Sequence, residues 1–300
     1  MGRNLLGELP DDVEIEVCEE AATLPADPAD VEFWVPPFLA TAQATDLLHK
    51  LTGLRAVQLL SAGADVWIGR LPAHVELCDA RGVHDKPVAE WVLGAAIGAF
   101  RRFPDFVRAQ SREDWANVAF TPTAELTGAR VLIVGAGSIG HAIEAHMAPF
   151  GATVTRVARS ARPAEQVHAV GELPSLLPYA DVVVLVVPLT EQTRGLVDGG
   201  FLSAMADGAL LVNAARGPVV DTAALITELS TGRISAALDV TDPEPLPSGH
   251  PLWHLPNAFL TPHTGGAVRG LLPRAYGLVG DQLRRFAAGK PLINRVVDGY

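Results

Sequence analysis

The sequence predicts an α/β fold of doubly wound parallel sheets, on three observations. Strand-like and helix-like periodicities alternate along the 300 residues. The runs 181–187 and 209–213 are almost continuously aliphatic, as in parallel strands buried on both faces. A third apolar run, 130–134, leads at once into Gly135-Ala136-Gly137-Ser138-Ile139-Gly140, which reads as strand, tight turn and helix.

In chain order, residues 13–17 and 31–34 read as strands, and residues 40–51 have helical periodicity. Residues 55–60 read as a third strand running into Ser61-Ala62-Gly63-Ala64-Asp65. On spacing alone that turn is an ordinary strand-to-helix connection, although its N–H groups also suit an anion such as a carboxylate. Residues 76–82 read as a further strand and turn, which completes a first α/β domain of roughly a hundred residues. Pro87 stands where a helix begins, and Val88, Trp91, Val92, Ala95, Ala96 and Ala99 give that helix a long apolar face. It is expected to run between domains; His84 and Lys86, just before it, could each reach a cleft, but an exposed loop role is the expectation for both. Residues 108–123 carry Trp115 and Phe120 and are expected to form an arm against a neighbouring subunit.

The glycine-rich turn has a physical reading at each position. Gly135 permits the turn, Gly137 lets backbone approach a pyrophosphate, and Gly140 lets the helix lie on its strand, so the helix N-terminus faces the anion. Ile139, Ala142, Ile143 and Met147 recur at helical spacing, Phe150-Gly151 stops the helix, and residues 153–157 form a second strand. The βαβ unit predicts a dinucleotide site. An NAD site normally carries Asp or Glu after the second strand, to accept from the ribose 2′-hydroxyl. Here the tip reads Ala158-Arg159-Ser160, with Arg162 beyond. Arg159 and Ser160 suit a 2′-phosphate, which favours NADP(H) over NAD(H). The alternative is that Arg159 and Arg162 are solvated loop charges.

Farther on, one strand ends at Pro188-Leu189-Thr190 and the next at Ala214-Ala215-Arg216-Gly217. Asp221 caps a helix over 222–229, which Gly232 ends. A strand over 235–240, a Pro-rich loop over 242–256 and a short strand over 258–260 lead to Thr261-Pro262-His263-Thr264-Gly265-Gly266. The remainder reads as a long helix interrupted near Pro273 and ending at Gly289, with a tail that returns to the first domain.

A net charge of −11, with no basic cluster longer than Arg101-Arg102, argues against nucleic acid or an anionic membrane as partner. Cys18 and Cys78 are too few for a metal-ligand spacing or a disulfide framework, which predicts no metal and a reducing cytoplasm. The first ten residues lack the apolar core of a signal peptide, and the longest uncharged apolar run, 91–100, is too short to span a bilayer.

In a parallel sheet, ligands gather beyond the carboxyl ends of the strands. Arg216, Glu244 and His263 each follow a successive late strand. Reducing a 2-keto acid needs an anchor for the carboxylate, a polariser for the ketone oxygen and an acid to protonate it. Arg216 can hold carboxylate and carbonyl oxygen through its planar fork, His263 can serve as general acid, and Glu244 can orient the imidazole. Taken singly, each also fits a duller role as a loop or surface charge.

Several segments between about Leu54 and Pro273 resemble D-isomer-specific 2-hydroxyacid dehydrogenases. Val134 through Gly140 resembles the family's cofactor fingerprint, and Pro188-Leu189-Thr190 with Thr193-Arg194-Gly195 its next signature. Asn213-Ala214-Ala215-Arg216-Gly217 resembles the segment bearing the catalytic arginine. Ala237-Leu238-Asp239-Val240 with Asp242-Pro243-Glu244-Pro245-Leu246 is similar to the segment of the acidic partner, and Thr261-Pro262-His263 to that of the acid/base histidine.

The resemblance implies a Rossmann coenzyme domain, residues 98–266, inserted into a smaller flavodoxin-like substrate domain of residues 1–97 and 267–300, with the active site in the cleft and a dimeric assembly. It implies catalytic roles for Arg216, Glu244 and His263. It places cofactor contacts at Gly135, Gly137, Ser138, Ile139, Gly140, Arg159, Ser160, Pro188, Thr193, Ala214, Asp239 and His263, with Asp239 on the nicotinamide amide. Substrate contacts fall to Ala62, Gly63, Arg216 and His263, the Ser61-Ala62-Gly63 amides serving the carboxylate. The missing acidic residue at Ala158 matches NADP-dependent glyoxylate and hydroxypyruvate reductases of this family, and formate dehydrogenases of the fold carry Gln where Glu244 stands. The expectation is a cytoplasmic, homodimeric reductase of a small 2-keto acid. A cofactor-sensing corepressor-like protein and a phosphite-oxidising enzyme are the alternatives.

Overall fold

A computed structural model describes residues 2–18, 27–38, 42–115 and 123–297. Its contacts divide the chain into two compact units, Met1–His84 with Val268–Tyr300, and Asp85–Ala267.

In the first unit, β1 (Phe33–Trp34), the single helical turn α1 (Ala42–Thr45), β2 (Ala56–Gln58) and β3 (Glu76–Cys78) follow in order. The strands form a parallel sheet in the order β1-β2-β3. Leu54, Val57, Leu59, Trp67 and Leu77 make its core. Residues 13–17 are not a strand. Val13 and Ile15, partly buried, pack against the cluster that contains Leu6 and Leu60, so their alternation reports one inward side of an extended segment that has no ladder partner among the described residues. Within 40–51 the described part is α1 and a 3-10 turn, Leu48–Lys50, not one continuous helix. Residues 40 and 41 lie outside the described residues.

The second unit opens with α2 (Asp85–Phe100) and α3 (Phe103–Gln110), separated by Arg102 at φ 55°. The boundary expected at residue 98 falls inside α2. Its buried Val88, Val92, Ala95 and Ala96 join the cluster of Val131, Ile133, Ile143 and Val212, so the whole helix packs with the second unit. Of the expected arm, Trp115 is 95% exposed, whereas residues 116–122, Phe120 among them, lie outside the described residues.

There follow β4 (Arg130–Val134), α4 (Ser138–Met147), β5 (Thr153–Ala158), β6 (Val167–Ala169), α5 (Leu173–Leu176), β7 (Val182–Leu185), α6 (Gly199–Ala204), β8 (Leu210–Asn213), α7 (Thr222–Ser230), β9 (Ser235–Leu238) and β10 (Ala258–Leu260). The strands pair in parallel, in the order β6-β5-β4-β7-β8-β9-β10. This is the doubly wound order of a dinucleotide-binding sheet with one strand added at the far edge. The continuous aliphatic runs are the central strands: Val182, Val183, Val184, Leu185, Leu210, Leu211 and Val212 are wholly buried. The order turns between β4 and β7, where the glycine-rich loop emerges.

The chain ends in the first unit with α8 (Leu271–Ala287). No interruption occurs at Pro273, because it lies in the first turn, where its missing N–H has no intrahelical partner to lose. Leu271, Ala275, Val279 and Leu283 pack against Leu6, Leu60 and Ala80. The tail then runs beside β3, with Asp79 N donating to Asn294 O at 3.0 Å and Val296 N to Leu77 O at 2.8 Å. Among the described residues no helix is long and apolar enough to cross a membrane.

Candidate active site

Each glycine of the β4–α4 turn has its own requirement. Gly135 sits at φ 123°, and a Cβ there would come within 2.5 Å of Val186 O. It lets the ends of β4 and β7 lie together. A Cβ on Gly140 would overlap Gly135 O, so that glycine closes α4 onto its own turn. Gly137 is different: its φ is −88°, and a Cβ would meet nothing within 4 Å. A side chain there would fill only the open space before the helix end. The first turn of α4, at Ser138 and Ile139, has no side-chain cap, which leaves its N–H groups for a ligand. Uncapped donors behind an open glycine fit a dinucleotide pyrophosphate.

At the tip of β5, Arg159 and Ser160 are exposed, and among the described residues neither side chain has a hydrogen-bond or ion-pair partner. Arg162 is not a free loop charge. Its Nη2 donates to Ala136 O at 2.8 Å and its Nη1 lies 3.2 Å from Glu165 Oε2, so it ties this tip to the glycine turn. After β7, the Thr193 hydroxyl donates to Pro188 O at 2.6 Å and accepts from Thr190 N at 2.8 Å. Pro188 and Thr193 thus shape one turn. Ala214 continues β8, with its N–H on Leu185 O at 3.1 Å.

The three expected catalytic residues lie on the loops after β8, β9 and β10 of this unit. His263 Nδ1 is 2.7 Å from Glu244 Oε1, and both side chains are partly exposed. Because Nδ1 is the atom engaged, Nε2 is the ring nitrogen left for a reacting group. Arg216 is half-buried and donates from Nη1 to Ala215 O at 2.7 Å. Gly217, next to it, packs so closely under Thr241 O that a Cβ would overlap that carbonyl. The Arg216 loop therefore abuts the loop that carries Glu244.

Two buried polar residues at the strand ends build these loops. Asn213 is 1% exposed; its Oδ1 accepts from Ala215 N at 3.0 Å and its Nδ2 donates to Arg216 O at 3.1 Å. Asp239 is 5% exposed, and Oδ1 accepts from Thr261 Oγ1 at 2.6 Å and Thr264 N at 2.8 Å, while Oδ2 accepts from Gly265 N at 2.8 Å. Its carbonyl takes the His263 N–H at 2.7 Å, holding His263 at φ 54°, a left-handed conformation that a non-glycine residue adopts at a cost. Oδ2 keeps a lone-pair direction for one further donor, so the expected amide contact stays open while the internal duty is additional. Sequence reasoning missed the role of Asn213, whose signal was a polar residue closing an otherwise aliphatic strand.

In the first unit, the Ser61 hydroxyl donates to Gly63 O at 3.0 Å, and Ala80 N donates to Ser61 O at 2.9 Å. The N–H groups of Ala62 and Gly63 have no acceptor among the described residues.

A doubly wound parallel sheet, an open glycine turn at its switch point and an imidazole–carboxylate pair beyond its strand ends define a dinucleotide-dependent oxidoreductase. Residues 93–265 match the family model described as D-isomer specific 2-hydroxyacid dehydrogenase, NAD binding domain. The chain belongs to that family and is an NAD(P)-binding dehydrogenase of the 2-hydroxyacid class. It is 32% identical over 256 residues to a glyoxylate/hydroxypyruvate reductase A of Enterobacter sp. (strain 638), covering 81% of this chain and 78% of that one. Its fold is similar to a D-isomer specific 2-hydroxyacid dehydrogenase from Xanthobacter autotrophicus Py2 solved with NADPH and MES, at TM-score 0.78 and 33% identity, with 91% of this chain and 87% of that chain covered. It is also similar to an NADPH-dependent glyoxylate/hydroxypyruvate reductase from Sinorhizobium meliloti solved with NADP and sulfate, at TM-score 0.79 and 25% identity, covering 90% and 87%.

Proposed function

We propose that the enzyme reduces a small 2-keto acid of the glyoxylate or hydroxypyruvate kind to its D-2-hydroxy acid, with NADPH preferred. The observation that carries this reading is the 2.7 Å contact between His263 Nδ1 and Glu244 Oε1, the second of which lies on a loop that abuts the loop of Arg216. When bound, the nicotinamide supplies a hydride from C4. The residues that would hold the cofactor are Gly135, Gly137, Ser138, Ile139 and Gly140 at the pyrophosphate, Arg159 and Ser160 at the 2′-phosphate, and Pro188, Thr193, Ala214, Asp239 and His263 toward the nicotinamide.

In this reading Arg216 binds the substrate carboxylate and polarises the ketone oxygen through its fork. His263, protonated at both nitrogens, delivers the Nε2 proton to the oxygen as it gains negative charge. Glu244 holds Nδ1–H, fixes the ring orientation and balances the imidazolium charge. In the reverse direction His263 is the base.

NADPH preference is supported by the unpartnered Arg159 and Ser160 and by the lack of a carboxylate at Ala158. Pairing of two copies is supported by the exposed Phe103, Val107 and Trp115, and the cytoplasm is the expected compartment. A panel of 2-keto acids with NADPH and with NADH, followed at the nicotinamide absorbance, tests the activity. Glyoxylate or hydroxypyruvate should consume NADPH fastest; no consumption of either cofactor above the no-enzyme rate by any acid refutes the proposal.

A further inference from the structure

At the N-terminus of α4 the Ser138 hydroxyl donates to Asp85 Oδ1 at 3.1 Å. The contact joins residues 53 apart in sequence and links the first turns of α2 and α4. Asp85 is half-buried, and among the described residues no Lys or Arg pairs with it. A carboxylate is therefore held beside the helix end where Gly137 leaves open space and the N–H groups are uncapped.

That position has two electrostatic consequences. The positive end of the α4 dipole stabilises the carboxylate. A pyrophosphate drawn to the same helix end then meets a fixed like charge, and it competes with that charge for the attraction of the dipole. Asp85 also occupies the proton of the Ser138 hydroxyl, so this group is not free to donate to a phosphate oxygen while the contact lasts.

We propose that Asp85 sets cofactor affinity, acting as a built-in anionic competitor at the pyrophosphate end of the site. The inference rests on the dinucleotide reading of the glycine turn. Because the pyrophosphate is common to both nicotinamide cofactors, Asp85 weakens NADPH and NADH by the same factor. It has no part in choosing between them, which is the task assigned to Arg159.

Calorimetric titration of the enzyme with NADPH, NADH and ADP-ribose, at low and at high salt, tests this. Asp85→Asn keeps the shape and still accepts from Ser138. It should tighten all three ligands by a common factor of roughly three- to tenfold at low ionic strength, and the gain should shrink as salt rises. Ser138→Ala, which keeps the carboxylate, should give no tightening. Should Asp85→Asn not fold, as judged by its melting without nucleotide, Asp85→Ser removes the same charge at the same first turn. Unchanged or weaker binding, or tightening of NADPH alone, overturns the inference while the cofactor reading stands. Failure of the wild type to bind any of the three ligands removes that reading, and this inference with it.

Discussion

Gly217 lies directly under the carbonyl of Thr241, with no space for a side chain between them. This contact sets the separation of the loop carrying Arg216 from the loop carrying Glu244. It makes Gly217 a close-approach glycine and not a flexible one, since its neighbours hold it in a 3-10 turn, Gly217–Val219.

Gly217→Ala should accordingly act on geometry. The methyl group must push the two loops apart, and misplacement of about 1 Å in a catalytic constellation costs on the order of a hundredfold in rate. We expect kcat to fall by about that factor while the dissociation constant for NADPH, whose proposed pyrophosphate turn is elsewhere, changes by less than about threefold. Equal losses in both would show that the variant had damaged the whole unit.

Asp239 invites a paired test. Its carboxylate accepts from Thr261, Thr264 and Gly265 and is almost wholly buried. In Asp239→Asn the amide must turn an NH2 toward one of these donors, at a cost of about 1–3 kcal/mol in stability for the unsatisfied group. The loop holding His263 left-handed should loosen with it. Denaturation midpoints and kcat should fall together, and kcat should fall more steeply than NADPH affinity. Wild-type kcat in the variant would remove Asp239 as the support of that loop.

How far this was legible in the sequence depends on the range of the contact. The central strands β4, β7 and β8 were readable because burial on both faces leaves a short, β-branched aliphatic run bounded by turn residues. The glycine turn was readable because its constraints are local. Residues 13–17 misled because alternation records burial and not a partner strand, and Pro273 misled because the same ring that breaks a helix interior starts one well. The contacts of Asp239, Arg162 and Asp85 were out of reach, since their partners lie 22–26, 26 and 53 residues away and only the fold unites them.

Arg216→Lys keeps the charge and loses the fork. A single ammonium cannot hold a carboxylate and a ketone oxygen in one plane, so kcat/KM for the keto acid should drop by at least about a hundredfold. Added guanidinium should restore part of the rate in Arg216→Ala. A lysine variant with near-normal activity would exclude Arg216 from the chemistry.

Stability should carry an acid-sensitive component from Asp181. Hydrogen bonds from the Arg130 side chain and backbone, at 2.7–3.0 Å, hold its carboxyl below the usual carboxylate range and tie the start of β4 to that of β7. A folded-state pKa below the unfolded one stabilises the protein above the unfolded value, near 4, and that share is lost as pH falls through the folded value. Urea midpoints of wild type and Asp181→Asn should therefore differ near pH 7 and converge toward pH 2. A difference that persists at pH 2 would mean that the carboxylate charge is not its source.

Arg159 and Arg162 stand close in sequence and should behave differently. Arg159 is exposed and unpartnered, so under the proposed reading its guanidinium is held in reserve for a 2′-phosphate that only NADPH carries. Arg159→Ala should raise KM for NADPH by about tenfold or more and leave KM for NADH within about twofold, since a charge-assisted contact contributes on the order of 1.5–3 kcal/mol. Arg162 already donates to Ala136 O and pairs with Glu165, so its loss loosens the tip against the glycine turn, which under the same proposed reading serves both cofactors. Arg162→Ala should raise KM for NADPH and NADH alike. The ratio of the two Michaelis constants thus separates a residue that reads the phosphate from one that braces the loop, and equal effects in the Arg159 variant would sink the 2′-phosphate assignment.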